Sequence, residues 1–441
     1  GDGDGAANGI EFNNVENLIG SAGADTFDFA DGANFTSIDG GDGDNTFDYA
    51  DVSTAIDVTL TWTGATVGFA GTASLAGTFD NLTTLIGTPQ VDSLTGYNTV
   101  TVIGINTAAD TWTQDGRTLA FSAVETLTSG NADDSVVFGD TATHTGDIDL
   151  GAGAADTFDG AAYTAGFSVD LAAGSSSLIT GTLSNIEHII GGSGADTLTG
   201  DANVNIITPG AGADIIEGNG GDDTVIFADN FGNDTLTDSA GTTDFLDFSA
   251  VTVGLTFTFP AGTASDGTST ATFDSSAYEL LFGSMADDTV AFNGAYTFPG
   301  TIDGREGADT LDYSGYTGPM DVTLTGTGTI DGYDGTTTAI DTAFNNMNAV
   351  VGSGDAADTL TGLTATDAAW TLAATGPNSY TASGVTFEFS AVEVLTGSDA
   401  VDTVSVEDGA DFGGTIDARG GADTLDLSAY TTDLTITVSA D

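Results

Sequence analysis

Residues 191–226 read GGSGADTLT, GDANVNIIT, PGAGADIIE and GNGGDDTVI, four nines in succession without an insertion. The sixth place of each nine holds Asp196, Asn205, Asp214 and Asp223, and the eighth holds Leu198, Ile207, Ile216 and Val225. Glycines such as Gly192, Gly194, Gly210 and Gly212 admit the positive φ of a tight turn and let backbone carbonyls converge. The Asp supplies a hard anionic oxygen of the kind calcium takes, and the apolar eighth residue fills the core beneath a short strand. If two nines make one coil, equivalent turns stack ~4.8 Å apart, which pairs Asp196 with Asp214 and Asn205 with Asp223. Carboxylates at that spacing repel by about 3–4 kcal/mol at an effective dielectric of 20, and a cation between them turns repulsion into a cross-link.

This block resembles the RTX calcium-binding nonapeptide G-G-x-G-x-D-x-U-x, where U is a large apolar residue. The resemblance is close over these 36 residues and looser elsewhere. It implies a parallel β-roll that folds as calcium rises after export, as in secreted toxins, surface-layer proteins and giant adhesins, with several calcium ions as cofactors. Catalytic functions in that family normally sit in separate domains.

Outward from the block, the chain repeats on a larger scale. Residues 15–61 align with 278–325 almost without a gap, and FSAVETLTSGNADDSVVF from Phe121 aligns with FSAVEVLTGSDAVDTVSV from Phe389. Lead-in segments of the form V-E-x-L-x-G recur near Val15, Leu82, Val124, Ile186, Tyr278, Met347 and Val392. Between them the grammar is a Gly/Ala-rich turn, then Asp-Thr and a large apolar residue, then four to six positions alternating at period two, as in Asp25-Thr26-Phe27-Asp28-Phe29. That alternation is strand patterning, and no window carries a capped helical stripe. Many short strands of one sense, none able to bury its face alone, become stable as stacked coils. The fold class expected is all-β, a right-handed parallel β-solenoid. At about 20 residues and ~4.8 Å per coil it would make a rod on the order of 100 Å long. One continuous solenoid is expected, with superrepeats over 1–190 and 228–441 flanking the RTX-like block at 191–227.

Degenerate copies of the turn extend the candidate metal sites. GGDGDNTFD from Gly40 carries Asn45 in the sixth place, whereas GREGADTLD from Gly304 and ARGGADTLD from Ala418 keep Asp309 and Asp423. Asp25, Asp92, Asp134, Asp156, Asp288, Asp358 and Asp402 stand before a strand without the full glycine set. An isolated Asp of this kind also has a metal-free role, accepting hydrogen bonds from its own turn. Arg305 and Arg419 fall inside turns, where a cationic side chain would replace calcium electrostatically.

The charge balance narrows the partners. Sixty-six acids against three arginines and no lysine give a formal charge of −63. Such a surface offers nothing for counterion release to nucleic acid and is repelled by anionic membranes. It needs divalent cations or concentrated salt to stay compact, which points outside the cytosol. Only ten of the acids are Glu, and the bias to Asp favours turns and calcium loops over a merely solvating surface. With 40% hydrophobic residues and 25 Phe the chain can fill a core, and with no Cys it has neither disulfides nor thiolate sites.

Enzymatic readings find little support. His144 and His188 lack recognisable partners, and neither H-E-x-x-H nor G-x-S-x-G occurs. A polysaccharide-acting β-helix would need a base and a cation facing an acidic sugar. Thr-rich strands such as 57–63 and 321–325 suit an ice- or glycan-facing array, although Thr is also an ordinary strand former with a soluble tip. Trp62, Trp112 and Trp370, with Tyr163, Tyr313 and Tyr380, offer sugar platforms or, more simply, core stacking. Asn34, Asn81 and Asn233 stand in glycosylation sequons. The first and last segments would complete one more repeat if joined tail to head, so the chain is expected to be one period of a longer polypeptide or to stack head to tail on itself. The function expected is a calcium-stabilised extracellular structural protein of a filament, sheath or surface layer. The alternative is the stalk or ligand-binding region of an RTX-type adhesin, with cell-surface glycan as its partner.

Overall fold

The computed structural model describes residues 5–7, 10–12, 14–431, 433 and 436. The terminal segments invoked for tail-to-head joining therefore lie largely outside the described residues. Contacts divide the chain into two units, Gly1–Gly220 and Gly221–Asp441, so the boundary falls within the last nine of the RTX-like block. Among the described residues every regular element is a strand.

Unit 1 is a stack of two-strand coils. On one face an open ladder runs from Thr26–Asp28 through Thr46–Asp48 and Thr84–Ile86, and later through Ser135–Phe138, Thr157–Asp159 and His188–Ile190 to Ile206–Thr208. All the pairings between these coil strands are parallel and in register. Each three-residue strand turns its middle residue inward, so Val136, Phe158, Ile189 and Ile207 stack as one buried column. Thr and Asp on either side face out, which is the period-two alternation read in the sequence. The other face stacks Ser93–Thr95, Thr126–Thr128 and Asp147–Asp149 in the same manner. Its outer threonines Thr59, Thr95 and Thr128 form a row in register.

The expectation of strands of one sense holds for the coils and fails between them. Asp57–Thr63, Phe69–Ala73 and Gly77–Leu82 form a three-stranded antiparallel meander within one face. Its third strand rests on Ser37–Asp39 and its first carries Ser93–Thr95. Thr101–Ile105, Asp110–Gln114 and Arg117–Ser122 repeat the device on the opposite face. Reversal needs left-handed turns, supplied by Gly68 at φ 50°, Leu75 at 64° and Asp115 at 48°. Each meander ends where a V-E-x-L segment begins, which accounts for the uneven spacing of those segments.

Unit 2 uses the same parts. One face carries Phe245–Ala250, Leu280–Phe282, Thr301–Asp303, the meander of Asp321–Thr327, Tyr333–Thr337 and Ile340–Met347, then Thr359–Thr361 and Val394–Thr396. The other face holds two meanders, Thr256–Phe259 to Thr270–Phe273 and Ala368–Leu372 to Val385–Ser390. Thr323, Thr361 and Thr396 make a second outward threonine row.

Aromatic side chains close the core. Trp112, Trp370, Tyr313 and Tyr380 are fully buried and Tyr163 nearly so, and Phe292 stacks on Tyr313 at 5.1 Å. Trp62 is the exception, 64% exposed and stacked on Tyr97 at 6.0 Å. Of the sequons, Asn81 is buried with its side chain bonded inside the turn, whereas Asn34 and Asn233 are exposed.

Because the middle residue of a coil strand is wholly inside and its neighbours are not, Phe158→Ala is expected to cost about 3–5 kcal/mol. Thr157→Ala, on the outer face, should stay within about 0.5 kcal/mol. Urea unfolding of both variants checks the sidedness.

Candidate metal centre

Where an Asp opens a coil strand, its carboxylate points into the turn and accepts backbone N–H groups. Asp196 accepts the Gly192 N–H at 2.8 Å on one oxygen and the Phe167 N–H at 2.9 Å on the other. Asp134 takes the N–H of Gly130 and of Thr101, Asp156 those of Gly153 and Asp134, Asp288 those of Ser284 and Leu255, and Asp358 those of Ser353 and Met320. Asp92 does the same with Thr88 and Ile56. One oxygen thus caps the residue's own turn and the other pins the preceding coil. Asp25, half-buried, holds Ser21. Asp402 accepts the Ser398 N–H, and its own N–H donates to exposed Asp423.

The glutamate of V-E-x-L belongs to this ladder, a role the sequence did not disclose. Glu125, Glu187 and Glu279 each receive, at 2.9 Å, the N–H of the ladder Asp one coil earlier, namely Asp92, Asp156 and Asp244. Glu125 and Glu279 each follow a meander, where the longer side chain takes the place of the next ladder Asp.

Within the RTX-like block, Asp196 and Asp214 do meet, the Asp196 N–H donating to Asp214 Oδ1 at 2.8 Å. Burial, with the Asp196 charge adding to it, pushes the Asp214 carboxyl up to about 6. Asn205 is buried and caps its own turn through the Asp201 N–H. Gly210 and Gly212 have positive φ, of 91° and 147°. Gly192 and Gly194 are needed instead for close approach, since a side chain there would strike the Tyr163 carbonyl and the Gly166 amide. Arg305 and Arg419 take glycine-like φ of 74° and 65°. The Arg305 guanidinium lies over the Phe282 ring at 4.7 Å, so its charge is turned onto an aromatic face and not into the turn as expected.

Asp223 lies in unit 2, and there it has company that the nonapeptide spacing does not reveal. Ligand oxygens of Asp223, Asp238 and Asp244 all lie within 4.8 Å of one another. Asp223 and Asp244 are 2% exposed, and Asp244 Oδ1 accepts the Asp223 N–H at 2.9 Å. Asp238 Oδ2 is buried without a donor. A side chain on Gly241 would fall against both Asp244 oxygens and the Gly221 carbonyl, so the site is an oxygen-lined cradle that only glycine leaves open. Burial first, and the Asp244 carboxylate second, raise Asp238 to about 7. Three carboxylates are hard donors of the kind that calcium takes, and the residues fit such an ion. Asp238 escaped the sequence because it follows a strand instead of preceding one.

No protein-family model matches the chain, and no curated protein matches it.

Two predictions follow from these bonds. Asp358→Ala strands the N–H groups of Met320 and Ser353, each worth about 1–3 kcal/mol when left unmet, and should destabilise the chain even in EDTA, where metal plays no part. The pH dependence has a definite sign. Buried Asp156, Asp214 and Asp288 are each raised to about 6 and half-buried Asp238 to about 7, so above the unfolded value of 3.8 the folded chain holds protons that the unfolded chain releases. In EDTA, stability should be greatest near pH 4 and fall as pH rises through 6–7. Thermal melts across that range, repeated in calcium, should show the slope flattened by the ion.

Proposed function

We propose that this chain is a calcium-stabilised extracellular structural repeat protein that builds a filament, sheath or surface layer by tandem or head-to-tail stacking. The observation that carries the reading is the Asp223, Asp238 and Asp244 cradle, set in a chain whose charge is −63. A cluster of acids, two of them buried, is stable only when something neutralises it. Calcium supplies two charges to oxygen ligands and is abundant outside cells, and the nonapeptide resemblance points to the same ion. The Gly-rich turns and the stacked coils suit a scaffold.

A second reading, the stalk or ligand-binding region of an adhesin, is favoured by one feature. Trp62 is exposed and stacked on Tyr97, an arrangement suited to the face of a sugar ring.

Circular dichroism in low salt, before and after exhaustive EDTA dialysis, tests the first reading. Loss of β signal on chelation and its recovery with millimolar calcium are expected; an unchanged spectrum would refute the calcium role. Light scattering in millimolar calcium should show assemblies larger than the monomer, and a monomer at every calcium concentration would remove the stacking role. Saturable glycan binding abolished by Trp62→Ala would move the assignment to the adhesin.

A further inference from the structure

The antiparallel meanders carry a signature that recurs near both ends of the sequence. In the first meander of unit 1 the second and third strands pair with Gly71 opposite Phe79, and in unit 2 Gly335 stands opposite Phe344. The third strand then runs Phe79-Asp80-Asn81 or Phe344-Asn345-Asn346 and closes on an asparagine of positive φ, 61° at Asn81 and 55° at Asn346. Near the start of the sequence Gly5–Ala7 pairs antiparallel with Ile10–Phe12, Gly5 stands opposite Phe12, and Phe12-Asn13-Asn14 closes on Asn14 at φ 56°. This hairpin therefore has the register and the closing residue of the last two strands of a meander. Its counterparts lie inside larger sheets, whereas it forms a two-stranded sheet of its own.

The first strand of a meander is just as recognisable, Asp57-Val58-Thr59-Leu60 in unit 1 and Asp321-Val322-Thr323-Leu324 in unit 2. Leu60 stands opposite Gly71 and Leu324 opposite Gly335, and both leucines are 1% exposed. A third such stretch, Asp433-Leu434-Thr435-Ile436, lies near the other end of the sequence, and Ile436, in the place of those leucines, is 64% exposed. The coil before it is uncovered too. Leu425 is 59% exposed, while Phe47 and Leu311 in the same place are fully buried where they pair with Leu85 and Val350. Leu18, which corresponds to Leu85 and Val350, is only half-buried.

We infer that residues 433–438 of one copy of this chain supply the first strand of a meander whose second and third strands are Gly5–Ala7 and Ile10–Phe12 of a second copy. The correspondence fixes the register. Ile436 falls opposite Gly5, and Phe12 pairs with Ile416 of the other copy as Phe79 does with Ile38 and Phe344 with Ile302. Leu434 lies beside Phe27 of the second copy as Val58 lies beside Leu94 and Val322 beside Leu360. The bonds between coils carry across in the same way. Asn81 Nδ2 donates to Asp39 Oδ1 at 2.8 Å and Asn346 Nδ2 to Asp303 Oδ1 at 2.7 Å, which places Asn14 to reach Asp417 of the other copy. Asp92 accepts the Ile56 N–H and Asp358 the Met320 N–H, both at 2.8 Å. Asp25, which holds its own turn through Ser21, is placed to accept the N–H of Thr432 of the other copy. Open strand edges become interior strands, and because the donor and acceptor surfaces differ, the joint repeats from copy to copy. The inference rests on the reading of the chain as one that stacks head to tail, and it names the residues that join.

The test uses the full chain in millimolar calcium. The chain has no Cys, so Ala6→Cys combined with Thr435→Cys sets two thiols opposite each other, as Thr72 stands opposite Thr59 and Thr336 opposite Thr323, within disulfide reach across an antiparallel pair. Mild oxidation should give a ladder of covalent dimers, trimers and longer species on denaturing electrophoresis, and nothing longer than a dimer from either single variant. Ile436→Asp should remain a monomer by light scattering and keep the parent's melting midpoint, because this side chain is exposed in the single copy. If that variant fails to fold, the cysteine ladder decides. Parent assemblies that survive Ile436→Asp, with no ladder from the cysteine pair, would overturn this joint while leaving stacking through another surface intact. A cross-link closed within one chain, at monomer mass, would overturn it as well. A parent that is monomeric at every calcium concentration would overturn the joint and the stacking reading together.

Discussion

The inward carboxylate is the constraint on which the coils depend. A solenoid turn of four or five residues cannot return its own amide groups to its own carbonyls, and an unmet buried N–H costs about 1–3 kcal/mol. Asp is the shortest side chain that brings two acceptor oxygens to such a turn, and its two oxygens face different partners. One goes to the turn beneath it, as Asp196 does with Gly192, and one to the neighbouring coil, as Asp196 does with Phe167. Charge-assisted bonds of this kind are about twice as strong as neutral ones, so the turn and the stacking are secured together.

That solution creates its own difficulty. Each coil adds a carboxylate to a column of carboxylates, and burial removes the water that would screen them. The chain relieves the column in three ways. Asn45 and Asn205 replace the acid by its neutral isostere. Glu125, Glu187 and Glu279 move the charge outward on a longer stem. Where neither happens, as around Asp223, the acids gather into an oxygen cage suited to an external cation. On the proposed calcium reading, hydrogen bonding and ion binding are alternative fates of one side chain, decided by how many N–H groups lie within its reach.

Much of this was readable in the linear chain. The parallel coils follow from Asp-Thr-apolar alternation with glycine on either side, and Leu198, Ile207 and Ile216 occupy the core as their places in the nines imply. The meanders were not readable in the same way, because strand direction leaves no mark on an alternating pattern: Phe69–Ala73 alternates as a coil strand does, yet runs the other way. Asp238 was hidden because its partners come from turns that do not share its spacing. The Glu of V-E-x-L was visible as a repeated letter but not as an acceptor, since its donor lies more than thirty residues earlier.

The meanders bear on how such a chain can lengthen. Each begins and ends with strands that offer a coil the same edge, so it can be spliced in without disturbing what lies on either side. It nevertheless thickens only the face that receives it, by two strand widths or about 10 Å. In unit 1 the insertion at Asp57–Leu82 on one face is answered by that at Thr101–Ser122 on the other, which brings the two faces level again. Unit 2 alternates likewise, from one face to the other and back, so duplication by recombination would be tolerated when successive copies land on opposite faces, the overhang at any point never exceeding one insertion.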